Sequence, residues 1–223
     1  MKITATPLTL QLRTTFRIAH GASDQRFNVL CQVVDLSGEY GLGEAAVVPY
    51  YGDTQESILA YLAQLAELPG DDPAQLEDIL SYLPSGSPAA RAAVDIALHD
   101  LWGKRLQQPL YRLLGLNPSR LPLTSFTIGI DHPEVMAERA RECGYPIIKV
   151  KLGSDDDAAA LAAIRRTTSA RLRVDANAGW TYDQALELIP RLAQSKLELV
   201  EQPLSRGDIE GVRALRQALR QRG

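Results

Sequence analysis

Three short runs recur along the chain at nearly constant separation: Lys149-Val150-Lys151, Asp175-Ala176-Asn177 and Val200-Glu201-Gln202-Pro203. Lys151 and Asp175 lie 24 residues apart, and Asp175 and Glu201 lie 26 apart. Each run closes a short apolar segment (146–148, 171–174 and 197–200), and a helical pattern follows each. That spacing is the period of a parallel sheet with helical crossovers. Side chains alternate along a strand, so Lys149 shares a face with Lys151, and Asp175 with Asn177. Two amines, two carboxylates and an amide are thereby expected at the carboxyl ends of successive strands, where α/β barrels place their chemistry.

The texture of the chain divides near residue 120. Residues 2–48 read as antiparallel strands, over 3–12, over 28–34 and around Gly41-Leu42-Gly43-Glu44-Ala45, with Asp35-Leu36-Ser37-Gly38 as a turn. Helical patterns follow over 53–68, from Asp72 or Pro73 to Leu83, and from the Ser87-Pro88 cap to about Leu106, the last burying Val94, Ile96, Ala97, Leu98 and Leu101. Residues 1–120 therefore read as an α+β N-terminal cap, a three-stranded meander plus a helical bundle. Residues 121–223 read as α/β, the start of a (β/α)8-type barrel with about four βα units. Its strands end at Ile128, Lys151, Asp175 and Glu201. Its helices are expected over 133–143, from the acidic cap at 154–157 to Arg166, over 182–194, and from Ile209 to about Arg220.

Composition excludes several function classes. A net charge of −3 gives no basic field for nucleic acid or an anionic membrane. No apolar run approaches the ~18–20 residues of a membrane span, and the first residues lack a signal-peptide core. Cys31 and Cys143 stand alone, which fits a reducing compartment, so a cytoplasmic enzyme acting on a small molecule is the expectation.

The converging residue types suit one kind of chemistry. Asp175 and Glu201 are hard oxygen donors appropriate to Mg²⁺. Taken singly, each acid could equally pair with a lysine or cap a helix. Lys149 is a like charge beside Lys151 and disfavours its protonation. A neutral lysine amine can then remove a proton alpha to a carboxylate, provided the developing negative charge is stabilised. Gly41-x-Gly43 lacks the third glycine of a nucleotide loop and reads as a strand turn. His99 and His132 read as ordinary structural histidines, and His20 lies in a loop that could reach a substrate. Asp155, Asp156 and Asp157 read as a solvated helix start, and Trp102 and Trp180 as packing elements.

The ordered runs Lys149-Val150-Lys151, Asp175-Ala176-Asn177-Ala178-Gly179-Trp180 and Val200-Glu201-Gln202-Pro203-Leu204 resemble the enolase superfamily, muconate-lactonizing-enzyme subgroup. The cap agrees, in Tyr40-Gly41-Leu42-Gly43-Glu44-Ala45 and in the stretch from Ala93 to Lys104. Phe16-Arg17-Ile18-Ala19-His20-Gly21 and Thr124-Ser125-Phe126-Thr127-Ile128-Gly129 are most similar to dipeptide epimerases of the L-Ala-D/L-Glu type. The resemblance implies an isomerase of the mandelate racemase/muconate lactonizing kind that takes a dipeptide or other carboxylate. It makes Lys151 the acid/base lysine and Lys149 its carboxylate-binding neighbour. Asp175 and Glu201 become Mg²⁺ ligands supported by Asn177, and Thr127 faces the substrate. Loops around 16–26 and 48–53 are expected to fold over the site, and a homo-oligomer is possible.

The same resemblance places a third metal ligand, an opposing lysine and an ammonium-binding aspartate pair on later strands. The 103 residues from 121 to 223 fall short of the roughly 250 of a complete barrel. The expectation is a truncated chain of impaired activity. The alternatives are an enzyme like o-succinylbenzoate synthase or muconate cycloisomerase, or a non-catalytic remnant.

Overall fold

The computed structural model describes residues 1–221. The chain forms two compact units, one of residues 1–12 and 25–121, the other of residues 13–24 and those from 122 onward. The first unit is not a single segment, because residues 13–24 belong with the second.

Strands β1 (Lys2–Ile18), β2 (Gly21–Val34) and β3 (Tyr40–Ala45) form a sheet in the order β1-β2-β3. The stretch 16–26, expected as a loop, is instead the end of one long hairpin. Thr14, Thr15, Phe16 and Ile18 are β-branched or aromatic, and they keep the chain extended up to the Ala19-His20 turn. Strands β2 and β3 run antiparallel with Val29 opposite Ala45 and Cys31 opposite Gly43. Val29, Cys31 and Val33 alternate onto the inner face and are fully buried. Burial pushes the Cys31 thiol up to about 12. At pH 8 an alkylating reagent should therefore modify only Cys143 in the folded protein, and intact-mass analysis showing rapid double modification would contradict this packing.

Helix α1 (Gln55–Ala63) starts at a capping box in which Thr54 and Ser57 satisfy each other's backbone N–H groups. It ends before the expected Leu68 because residues 66–68 run beside the chain start. Ile3 N donates to Ala66 O at 3.2 Å and Leu68 N to Met1 O at 2.8 Å. Helix α2 (Leu76–Ser81) is also shorter than expected, since Asp72 Oδ1 accepts from Ala74 N and makes a turn there. Helix α3 (Pro88–Arg105) begins at Ser87, whose Oγ accepts from Ala90 N. It buries Val94, Ala97, Leu98 and Leu101, but Ile96 is 49% exposed, because it lies off the i, i+3, i+4 stripe the others share. A short helix α4 (Leu110–Leu113), not foreseen, follows.

Gly41 and Gly43 do not form a turn. Both lie within β3, where that strand crosses α3 backbone to backbone. A Cβ on Gly43 would meet the Ala93 carbonyl, and one on Gly41 the Ala97 carbonyl. Asp100 fastens the same crossing, its Oδ2 accepting from Leu42 N at 2.8 Å.

In the second unit strands and helices alternate: β4 (Ser125–Ile128), α5 (Pro133–Glu142), β5 (Ile147–Lys151), α6 (Asp157–Thr167), β6 (Arg171–Asp175), α7 (Tyr182–Ala193), β7 (Leu197–Glu201) and α8 (Ile209–Gln221). The strands are parallel, in the order β4-β5-β6-β7. Ile148, Val150, Leu172 and Val174 pack with Leu161 and Ile164 of α6 in one core. The opposite face carries Lys149 and Lys151 at register positions next to Arg173 and Asp175. A register shift at Leu172/Arg173 brings Glu198 of β7 within reach of both Arg171 (3.2 Å) and Arg173 (2.6 Å). Among the described residues, no helix is long and apolar enough to cross a membrane.

Candidate active site

Register assembles the site. Thr127 lies opposite Lys149, Lys151 opposite Asp175, and Asp175 opposite Glu201, so four adjacent strands end at one level. Lys151 Nζ donates to Asp175 Oδ2 at 2.8 Å and to Asn177 Oδ1 at 2.9 Å. Lys149 Nζ sits 2.8 Å from Asp175 Oδ2 and 2.8 Å from Glu201 Oε2. Lys149, Lys151, Asp175, Asn177 and Glu201 thus form one connected polar cluster. Thr127 joins it only as a neighbour of Lys149 in the sheet. Asn177 touches Lys151 with its side chain and donates its backbone N–H to Asp175 Oδ1 at 2.9 Å.

Asp175 is the buried member, with its side chain 2% exposed. Burial alone would raise its pKa. The hydrogen bonds from Lys149, Lys151 and the Asn177 backbone N–H outweigh that and hold it below the usual carboxylate value. Lys149 shows the complementary balance: burial pulls its pKa down, but pairing with Asp175 and Glu201 lifts it above the ordinary lysine value. A depressed carboxylate pKa stabilises the fold above its unfolded value near ~3.9 and loses that contribution as pH falls toward the folded value. Asp175→Asn should therefore flatten the acid limb of the stability curve below about pH 4. Equal acid sensitivity of variant and parent in urea titrations would contradict the ion-pair network.

Two carboxylate oxygens converge on the Lys149 ammonium, a point that favours positive charge. Among the described residues no group of three or more His, Cys, Asp and Glu is placed to hold a metal ion.

The turns after the strands are unusual in backbone. Asn177 (φ 47), Ala178 (φ 60) and Gln202 (φ 44) are left-handed without being glycine. Cross-turn hydrogen bonds hold them there: Ala176 N to Glu201 O at 3.2 Å and Ala178 N to Gln202 O at 2.8 Å. The hairpin turn contributes His20, whose Nε2 lies 2.6 Å from Asn177 O. Ile130 N donates to Arg17 O at 2.9 Å, tying the same hairpin to the end of β4.

Asp157, expected to be solvated, is 2% exposed. Its carboxylate accepts from Gly153 N (2.9 and 3.0 Å), Ser154 N (2.9 Å), Ser154 Oγ (3.0 Å) and Trp180 Nε1 (3.2 Å). It thereby links the turn after Lys151 to the turn after Asn177. Trp180 is more than packing, since its indole N–H serves that carboxylate. Three consecutive aspartates hide which one turns inward. The signal available in the sequence was a Gly-Ser turn four and three residues before Asp157, the spacing at which a side chain returns to cap its own helix entrance. His99 Nδ1 lies 3.0 Å from Asp95 O on α3, an ordinary structural arrangement.

A parallel sheet of βα units with lysines and carboxylates at its carboxyl ends is the arrangement of an α/β barrel-type domain. The chain belongs to the mandelate racemase/muconate lactonizing enzyme family of the enolase superfamily: residues 2–115 match the mandelate racemase/muconate lactonizing enzyme N-terminal domain and residues 134–222 the enolase C-terminal domain-like family. It is 42% identical over 218 residues to an L-Ala-D/L-Glu epimerase of Bacteroides thetaiotaomicron, covering 95% of this chain and 57% of that one. A hydrophobic dipeptide epimerase of Enterococcus faecalis is 35% identical, over 92% of this chain and 61% of its own length. A crystal structure of a dipeptide epimerase from Enterococcus faecalis, complexed with Mg and L-Leu-L-Tyr, superposes with a TM-score of 0.85 at 33% identity, covering 97% of this chain and 64% of the other. A dipeptide epimerase from Cytophaga hutchinsonii, complexed with Mg and D-Ala-L-Val, gives a TM-score of 0.86 at 28% identity, over 98% and 63%. The chain spans about three fifths of the length of the relatives it matches.

Proposed function

We propose that this chain carries one side of a dipeptide epimerase-type site, which removes the proton alpha to a carboxylate. The observation that carries the reading is the placement of Lys151 between Asp175 Oδ2 and Asn177 Oδ1. A neutral lysine amine has two N–H groups and one lone pair. Two acceptors already in place take the two N–H groups, so the lone pair is left for the substrate's α-proton. Lys149, one strand step away on the same face, offers its ammonium to the substrate carboxylate, where negative charge grows as the proton leaves. Thr127 lines the β4 side.

The donor set fits Mg²⁺ in kind: Asp175 and Glu201 are neighbouring hard oxygen donors that already converge on a cation. They would hold the ion, and waters and substrate oxygens would complete its coordination. When bound, Mg²⁺ supplies Lewis-acid stabilisation of the carboxylate's developing charge. Inversion requires a second group on the opposite face of the substrate, and Lys151 alone performs removal and return on one face. The reading made for the described residues is therefore removal of the α-proton and its return on the Lys151 face.

The test is incubation with L-Ala-L-Glu and Mg²⁺ in heavy water, following the α-proton by NMR. Exchange should be measurable and should drop about 10²–10⁴-fold in Lys151→Ala. Absence of exchange from well-folded protein at saturating metal would leave a non-catalytic remnant as the account of this chain.

A further inference from the structure

Away from the strand ends, α6 and α7 enclose a cleft of about 410 Å³. Its walls carry Arg165 and Arg166 of α6, Arg191 of α7, and Gln194 and Ser195 just beyond α7. No acidic residue lines it among the described residues. The volume lies within the ~300–1,000 Å³ typical of small-molecule sites.

The three guanidiniums are poorly neutralised. Arg165 donates to the Thr168 carbonyl at 3.3 Å and the Ala170 carbonyl at 2.7 Å, which fixes the side chain without cancelling its charge. Its Nε is buried and has no hydrogen-bond partner. Burial, unopposed by any carboxylate, pulls the Arg165 pKa below the ordinary arginine value. Arg166 has no hydrogen bond or ion pair among the described residues. Arg191 meets only Glu187, at 3.5 Å in an exposed pair that is weak in water. Basic residues in a last helical turn complement the helix dipole, which accounts for the placement of Arg165 and Arg166 on α6 and of Arg191 on α7. It does not account for the Arg165 Nε, a buried donor without an acceptor on a half-buried side chain, because such a group costs free energy.

We propose that this cleft binds the phosphoryl or diphosphoryl group of a small molecule. Planar guanidinium forks match phosphate oxygens two at a time. A tetrahedral polyanion can engage the Arg166 and Arg191 forks from different directions beside the fixed charge of Arg165, whereas a single carboxylate offers only two oxygens. Gln194 and Ser195 add neutral donors at the rim.

Isothermal titration of the full chain with inorganic pyrophosphate in metal-free, low-salt buffer tests this. The wild-type chain should show one saturable site. The double variant Arg166→Ala/Arg191→Ala should bind about tenfold or more weakly. Both residues are solvent-facing, so an unchanged melting profile will show that the variant is folded. Glu187→Gln, which removes the acid beside Arg191, should tighten binding roughly two- to threefold. No saturable binding up to about 10 mM, or a double variant that binds like the parent, would overturn the proposal.

Discussion

Gly43→Ala should unfold the first unit well below the melting temperature of the parent. The new methyl group has no flexible side chain to displace. It meets the Ala93 carbonyl and lies 2.8 Å from Ala97 N, both backbone atoms of α3. Either β3 leaves β2 or α3 leaves the sheet, and each movement opens the core around Val29, Cys31, Val94 and Leu98. Overpacking against rigid backbone of this kind costs about 3 kcal/mol or more, a large share of the ~5–15 kcal/mol that holds a domain together. The corresponding drop in melting temperature is roughly 10 °C or more. Gly38→Ala is the contrast: nothing lies within 4 Å of its Cβ, and only its φ of +88° is strained. It should cost no more than about 1–2 kcal/mol. A Gly43→Ala variant that melts as Gly38→Ala does would mean that the crossing of β3 over α3 is looser than described.

The second large effect is expected at Asp157. Removing the carboxylate in Asp157→Ala takes away the common acceptor of the Gly153 and Ser154 N–H groups, the Ser154 hydroxyl and the buried Trp180 indole N–H. The α6 entrance also loses the negative charge that its N–H groups favour. A loss of about 3–5 kcal/mol is expected, in line with breaking a buried charged network. Asp157→Asn keeps the shape but turns an NH₂ group toward donors, so it should fall between parent and alanine. Trp180→Phe removes one bond and should cost about 1 kcal/mol. Urea unfolding of the three variants gives the order directly. An alanine variant as stable as the phenylalanine one would show that Asp157 is not the common acceptor.

The parallel half of the fold and its cluster of residues were legible in the sequence for one reason. The βα period sets which residues end each strand, and strand alternation sets which of them share a face; Lys149, Lys151, Asp175 and Glu201 needed nothing more. The hairpin from β1 to β2 was not legible at its tip, because Arg17, Asp24 and Arg26 look like loop composition although the backbone there stays extended. Gly41 and Gly43 carry no local sign of the helix they touch; that contact joins residues fifty or more positions apart. Asp157 was hidden among three identical side chains, and only tertiary packing selects the one that turns inward.

Asn177, Ala178 and Gln202 hold a backbone twist that most side chains resist, and they do so at the mouths of two neighbouring strands. Valine, isoleucine or threonine at any of the three would fight the main chain before touching any ligand. Variation among related proteins should therefore be narrow at these positions for conformational as well as chemical reasons. A restricted residue here is evidence about the shape of the turn first, and about chemistry only when its side chain, as with Asn177 Oδ1, also reaches the Lys151 amine.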